Sequence, residues 1–356
     1  MRKIIVTCFA LLVFYCSAVG QRFNEVLLSE TENAYNPIPS PNGEIVAYVR
    51  TGWDRPGGSG GFGRSNLRSG VMSMNANGQV LIEEPLVDAF LSGWTPNGKS
   101  LVCYRDRLYF LVSSNGTMLK QADRSQTMRP ELNAERAAYL SDIDAFIWVN
   151  SSGNEAVIET VGESIAKSKF SLGELIIPSP NERYIAVTGA RDSTLWVYDR
   201  RSKTWADLGK VIVHPNDEWD YIKPSWNPWF ADSTRLAYIS EAGIIVSSPD
   251  GKDRKIVRKL KAKVGLAVPA PDGKSIAYVT FEPRPMKIRS DLQFWGGTTV
   301  WVASVDSNSE AHPVTAKNQD TTYGLRWLNN QQLVFDRIAD ELFYRKARLW
   351  KVSVTR

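Results

Sequence analysis

Histidine is almost absent, with 2 in 356 residues. Two imidazoles cannot furnish a multi-histidine metal centre, and no calcium loop or zinc spacing is present, so no cofactor is expected. Cysteine is nearly as scarce, with 3 residues. Cys8 and Cys16 lie within the first twenty positions, which leaves Cys103 alone in the apolar run Leu101-Val102-Cys103-Tyr104. A single remaining thiol excludes an internal disulfide and reads as a buried, inert side chain. Charge of one sign is lacking too: 43 Lys+Arg face 38 Asp+Glu, which gives no reason to expect nucleic-acid binding. After residue 20 no stretch is apolar enough for a membrane span, and no amphipathic helix of normal length is visible. Only 338–346 suggests a short helical turn.

What is present is a well-stocked core, 43% hydrophobic and 11% aromatic, which excludes general disorder. Arg2 and Lys3 precede an uncharged run from Ile4 to Tyr15, and Ala18-Val19-Gly20 supplies small residues before Gln21. This is the layout of a signal peptide cleaved after residue 20. It is shorter than the ~20 residues of a membrane span. Tyr15 is too bulky to precede a lipidated Cys16. The expectation is an exported protein, periplasmic or secreted, with residues 21–356 forming a single domain.

A repeated unit fills that domain. A turn such as Pro-Asn-Gly leads into a short strand ending in an aromatic or branched residue: SPNGEIVAY to Tyr48, TPNGKSLVCY to Tyr104, LNAERAAY to Tyr139, SPNERYIAV to Val187, NPWFADSTRLAY to Tyr238, APDGKSIAY to Tyr278 and LNNQQLVF to Phe335. The Asn-Gly and Asp-Gly pairs read as tight hairpin turns with positive φ at both central residues. A second strand follows each copy, among them GVMSMNANG, LYFLVSSNG, FIWVNSSG, LWVYDRRS and IIVSSPDG. Units of this size cannot bury both faces alone and must stack radially. The expected fold is all-β, a seven-bladed β-propeller of four-stranded antiparallel blades, with six blades as the alternative. The orphan segment Glu25–Ser29 is expected to complete the last blade, which removes the open edge.

SPNGEIVAY, TPNGKSLVCY, PSWNPWFADSTRLAY and APDGKSIAY, with LWVYDRRS and IIVSSPDG, resemble the repeats of TolB-type (WD-repeat-like) propellers, whose blades read roughly P-x-W-S-P-D-G-x-x-I-A-F then I-Y-V-M-D-x-x-G. The amino-terminal α/β domain of TolB has no counterpart here. The resemblance implies a bacterial envelope or secreted protein that binds other proteins or envelope material. The oligogalacturonate lyases, which also carry such repeats, use several histidines around a metal, and this chain cannot supply them.

Chemistry-bearing motifs are weak. Gly57-Gly58-Ser59-Gly60-Gly61 fits G-x-S-x-G, and Gly58, Gly60 and Gly63 fit G-x-G-x-x-G, but neither has its strand–turn–helix setting. Both read as a glycine-rich loop. His214 and His312 precede prolines and read as turn residues. Lys259, Lys261 and Lys263 alternate along what reads as the outermost strand of the fifth blade, where lysines block edge pairing.

The connections between second and third strands carry the functional expectation. Three are long: about 51–69, 281–297 and 337–346, in blades one, six and seven. The short ones include Arg105-Asp106-Arg107, Ser141–Asp144 and Glu241-Ala242-Gly243. Blades six, seven and one are neighbours in a closed ring, so the long connections should form one sector. Its candidate binding residues are Trp53, Arg55, Phe62, Arg64, Arg284, Arg289, Trp295, Glu341 and Tyr344, aromatics beside arginines as binding surfaces use them. The function expected is a non-catalytic binding module and monomeric scaffold, taking another envelope or secreted protein, or envelope polysaccharide. The alternative is a carbohydrate-active hydrolase or lyase using Asp54, Asp217, Glu218 or Asp220 as paired carboxylates.

Overall fold

The computed structural model describes residues 23–29, 33–53, 68–105, 108–123, 137–152, 155–161, 163–189, 193–215, 226–285, 293–306, 310–318, 320–340 and 345–354. Residues 1–20, expected from the sequence to be a signal peptide, lie outside them. Every regular element among them is a β-strand, and no helix is long and apolar enough to cross a membrane.

The strands form seven antiparallel sheets. A first strand, β1 (Glu25–Leu27), precedes the ring. Blade one runs from channel to rim as β2 (Ala34–Pro39), β3 (Ile45–Trp53), β4 (Arg68–Asn75) and β5 (Leu86–Val87). Blade two is β6 (Phe90–Trp94), β7 (Ser100–Arg105), β8 (Leu108–Ser113) and β9 (Met118–Asp123). Blade three is β10 (Ala137–Leu140), β11 (Ala145–Ser152), β12 (Glu155–Thr160) and β13 (Glu163–Ser168). Blade four is β14 (Leu172–Pro178), β15 (Tyr184–Gly189), β16 (Thr194–Asp199) and β17 (Thr204–Lys210). Blade five is a three-stranded sheet, β18 (Leu236–Ser240), β19 (Gly243–Ser247) and β20 (Arg254–Arg258). Its channel position is taken by residues 226–230, bridged at Trp229–Leu236. Blade six is β21 (Lys263–Pro269), β22 (Ser275–Pro285), β23 (Gln293–Ser304) and β24 (His312–Pro313). Blade seven is β25 (Leu325–Asn329), β26 (Gln332–Asp340) and β27 (Arg345–Ser353), with β1 outermost.

Ring closure is as expected. Glu25, Val26 and Leu27 pair with Val352, Lys351 and Trp350, and Leu28 N–H continues the ladder onto the Leu349 carbonyl at 2.8 Å. The core is a ring of sandwiches between neighbouring blades. One cluster joins blades one and two through Ala47, Val71, Leu101 and Phe110. Another joins seven to one through Val334, Leu349, Val46 and Tyr48. Cys103 is buried in the first, and burial pushes its thiol up to about 12 against the opposing charge of Arg105.

The repeated turn has a different geometry from the expected one. In Ser40-Pro41-Asn42-Gly43 only Gly43 has positive φ, at 72°, and its N–H returns to the Ser40 carbonyl at 2.8 Å. Gly98, Glu182, Ser233 and Gly273 repeat this position at φ 59 to 70°. Proline at the second place already sets φ near −65°, so the turn is type I closed by a left-handed residue.

Three sequence expectations are corrected. The third copy sits one strand nearer the channel: Tyr139 is on β10, the innermost strand, and Ser141–Asp144 is the first-to-second turn. Asp144 takes φ 50° there, a conformation aspartate tolerates well. The basic run divides, with 254–258 on the rim of blade five and Lys263 opening the channel strand of blade six. Lys259 to Ala262 carry the chain between them. Residues 338–340 and 345–346 end β26 and begin β27 rather than forming a helical turn.

Candidate functional site

The second-to-third hairpins of blades six, seven and one outgrow the disc. β22, β23, β26, β27 and β3 have nine to twelve residues, while second and third strands in blades two to five have five to eight. The ladders continue to Pro285–Gln293, Asp340–Arg345 and Trp53–Arg68. Register shifts between Thr280 and Glu282 and between Thr51 and Trp53 mark where two of them leave the disc. Bulges of this kind re-aim a strand. The three hairpins are consecutive in the ring and all join second to third strands, so they rise from one face. The backbone places Trp53 at the end of β3, Arg284 opposite Phe294 and Trp295 opposite Pro283. Arg55, Phe62, Arg64, Arg289, Glu341 and Tyr344 lie outside the described residues, as do Asp54, Asp217, Glu218 and Asp220.

Beneath these hairpins is a buried polar seam that the sequence reading missed. Asp336, wholly buried in β26, accepts N–H bonds from Asn36 of blade one (2.7 Å) and from Tyr323 (2.7 Å) and Gly324 (3.0 Å) of blade seven. Burial raises its carboxyl to about 7 against the lowering effect of those donors. The next residue, Arg337, pairs with Glu25 at 2.5 Å, with both side chains largely buried. Its guanidinium lies 5.1 Å from the Phe335 ring centre and 5.0 Å from that of Trp350. Glu25 also accepts the Ala316 N–H at 3.0 Å. The available signal was a charged pair, Asp336-Arg337, inside the apolar run Leu333 to Ala339.

His214 belongs to the same seam and is no surface turn residue. The connection leaving blade four crosses the start of β21, where the Leu266 N–H donates to the Val213 carbonyl at 2.9 Å. It delivers His214 to blade seven, 2% exposed, stacked 4.3 Å from the Tyr323 ring and edge-on to Phe281. A carbonyl can only accept, so Nε2 carries the proton donated to Thr322 O at 3.0 Å. Burial drives this imidazole down to about 3. It is held neutral as a brace. Among the described residues no three His, Cys, Asp or Glu side chains gather as a metal site.

A second feature occupies the axis. All seven innermost strands line a cavity of about 480 Å3 lying toward the face of the first-to-second turns. Its walls follow an alternating pattern. Indoles of Trp94, Trp229 and Trp327 donate to the carbonyls of Ile38, Ile177 and Val268 on the preceding blades at 2.8 to 3.0 Å. Each acceptor is followed by proline, Pro39, Pro178 or Pro269. Proline is tolerated because the innermost strand has no partner on the channel side.

No protein-family model and no curated protein sequence matches the chain. Solved structures do. The beta-propeller domain of Cps50 (Swd1) from Myceliophteria thermophila is 10% identical over 94% of this chain and 99% of that one, with a TM-score of 0.57. Oligogalacturonate lyase in complex with manganese is 12% identical over 94% and 98%, with a TM-score of 0.52. A putative TolB from Agrobacterium tumefaciens is 13% identical over 78% and 94%, with a TM-score of 0.42. What the chain has in common with the first two is the propeller fold.

Proposed function

We propose that the protein is an exported, non-catalytic binding module that recognises another envelope or secreted protein, or envelope polysaccharide, at the hairpin-bearing sector. The observation that carries this is the set of three over-long hairpins on consecutive blades, seated on the seam of Asp336, Arg337 and Glu25. Long connections on a rigid scaffold are where propellers and similar folds place recognition. The residues proposed to make contact are Trp53, Arg55, Phe62, Arg64, Arg284, Arg289, Trp295, Glu341 and Tyr344. Export rests on the signal-like first twenty residues, and the resemblance to TolB-type repeats agrees with an envelope role.

The test is affinity capture from envelope extract with residues 21–356, run beside a form in which 54–67 is replaced by a two-residue turn. Loss of a saturable partner with the shortened form supports the assignment. The same partner at the same affinity overturns it. The carbohydrate-active reading draws on Asp54, Asp217, Glu218 and Asp220, and release of new reducing ends or unsaturated products from envelope polysaccharide would put it first.

A further inference from the structure

We propose that the rim of blade five is a second contact surface, one that seats the protein on an anionic lipid bilayer. The surface is β20 with the connection that follows it. Three properties select the partner.

Charge is concentrated there. Residues 254–261 hold Arg254, Lys255, Arg258, Lys259 and Lys261 and no Asp or Glu, five cations where the whole chain has a net excess of +5. Two of the five are engaged within the chain: the Arg254 guanidinium lies 5.7 Å from the Tyr238 ring centre, and Arg258 has contacts of its own. Lys255, Lys259 and Lys261 are exposed and form no ion pair among the described residues. Asp250, in the β19–β20 turn at the other end of the strand, is held by Lys252 at 3.4 Å and by the Ser248 hydroxyl at 2.6 Å. Asp207 of blade four accepts the Gly209 N–H at 2.7 Å.

The edge resists an added strand. β20 is outermost in its sheet, and an open edge is a template for another chain. Here the register slips between Ile244 and Ile245, opposite Arg258 and Ile256. A bulge and lysines together are how an edge refuses such pairing. The rim therefore offers side chains rather than a ladder, which disfavours an extended polypeptide as the occupant.

An apolar group sits among the charges. Ile256 is 46% exposed, and Val257 and Leu260 are half-buried. A soluble polyanion would use the lysines alone. A bilayer uses both, with anionic headgroups on the ammonium groups and Ile256 at the boundary with the acyl chains. The long lysine stems let the charges reach the headgroups around it. Because the contact is at the rim, the hairpin sector of blades six, seven and one stays open to its own partner.

The experiment is co-sedimentation of residues 21–356 with vesicles of phosphatidylcholine alone and of phosphatidylcholine mixed with phosphatidylglycerol. Soluble polygalacturonate is the competitor. Saturable binding to the anionic vesicles only is expected. It should weaken at least about tenfold between roughly 0.1 and 1 M salt, as the screening length falls from ~10 to ~3 Å. Replacing all three lysines, Lys255→Gln, Lys259→Gln and Lys261→Gln, should also weaken it at least about tenfold, since each lysine near an anionic surface contributes a few-fold. Ile256→Ser should weaken it several-fold. These side chains are largely exposed, so urea midpoints should match the native chain. The lipid and salt comparisons use the native chain and depend on no variant folding. The form shortened at 54–67 should bind vesicles as the native chain does. Equal binding to both vesicles, binding indifferent to the three lysines, or loss of binding in the shortened form overturns the proposal. Polygalacturonate that binds more tightly than the vesicles overturns it in favour of a polysaccharide.

Discussion

At the scale of single residues, the seam beneath the hairpins sets the response to pH. His214 is neutral when folded, at about 3, but takes a proton near 6.5 when unfolded. Its contribution is complete above about pH 6.5 and is lost as pH falls toward 3. Asp336 runs the other way. Its folded value is about 7 against about 4 unfolded, so its contribution is complete below about pH 4 and is lost as pH rises through 7. Between about pH 4 and 6.5 the two slopes oppose, each at most about 1.4 kcal/mol per pH unit. Urea midpoints of the native chain should therefore change little across that window. His214→Gln should make stability fall with rising pH, and Asp336→Asn should make it rise. A parallel response in both variants would refute the assignment. Neither residue's role was legible in sequence. His214 looked like a turn residue because its partners, Thr322 and Tyr323, lie two blades further round the ring. Asp336 follows Phe335, where the repeat pattern ends, so nothing in the pattern marks it as buried, and its donors Asn36, Tyr323 and Gly324 lie on other strands or connections.

At the scale of elements, the inward turns were largely readable and their failures are instructive. Ser-Pro-Asn-Gly and its kin mark the first-to-second turn in blades one, two, four, five and six, where the fourth residue takes the left-handed conformation. Blade three escaped because Ser141–Asp144 reaches that conformation without glycine or proline. The same conformation at Lys203, φ 57°, closes the exposed β16–β17 turn. Lys203→Gly should raise stability by about 0.5 kcal/mol, since glycine carries no Cβ penalty there. A thermal melt reads the shift. Glu182→Gly should not gain, because the Glu182 carboxylate also accepts the Asp142 N–H at 3.0 Å.

At the scale of the whole molecule, seven copies of the repeated unit and one orphan strand were enough to anticipate a closed ring, because the number of units and the leftover strand both follow from counting. The sector of long hairpins was also anticipated, since neighbourhood in a ring follows from the same count. The axial cavity was not, because it depends on which side chains seven separate strands send inward. Closure itself is testable. A chain beginning at Asn33 lacks β1, strips the ladder from β27 and leaves Arg337 without Glu25 between two aromatic rings. Breaking a buried ion pair alone costs roughly 3–5 kcal/mol, and the bared edge is a template for another copy. Size-exclusion chromatography should show concentration-dependent self-association, and a monomer of native stability would contradict the closure argument. The clasp between Glu25 and Val352 also dictates an order of events. A polypeptide is synthesised from its amino end, so β1 must wait, unpaired, until β27 has been made, and six blades can be laid down while the seventh has no rim. Removing the residues from Trp350 to Val352 would therefore release β1 as well as the outer part of β27.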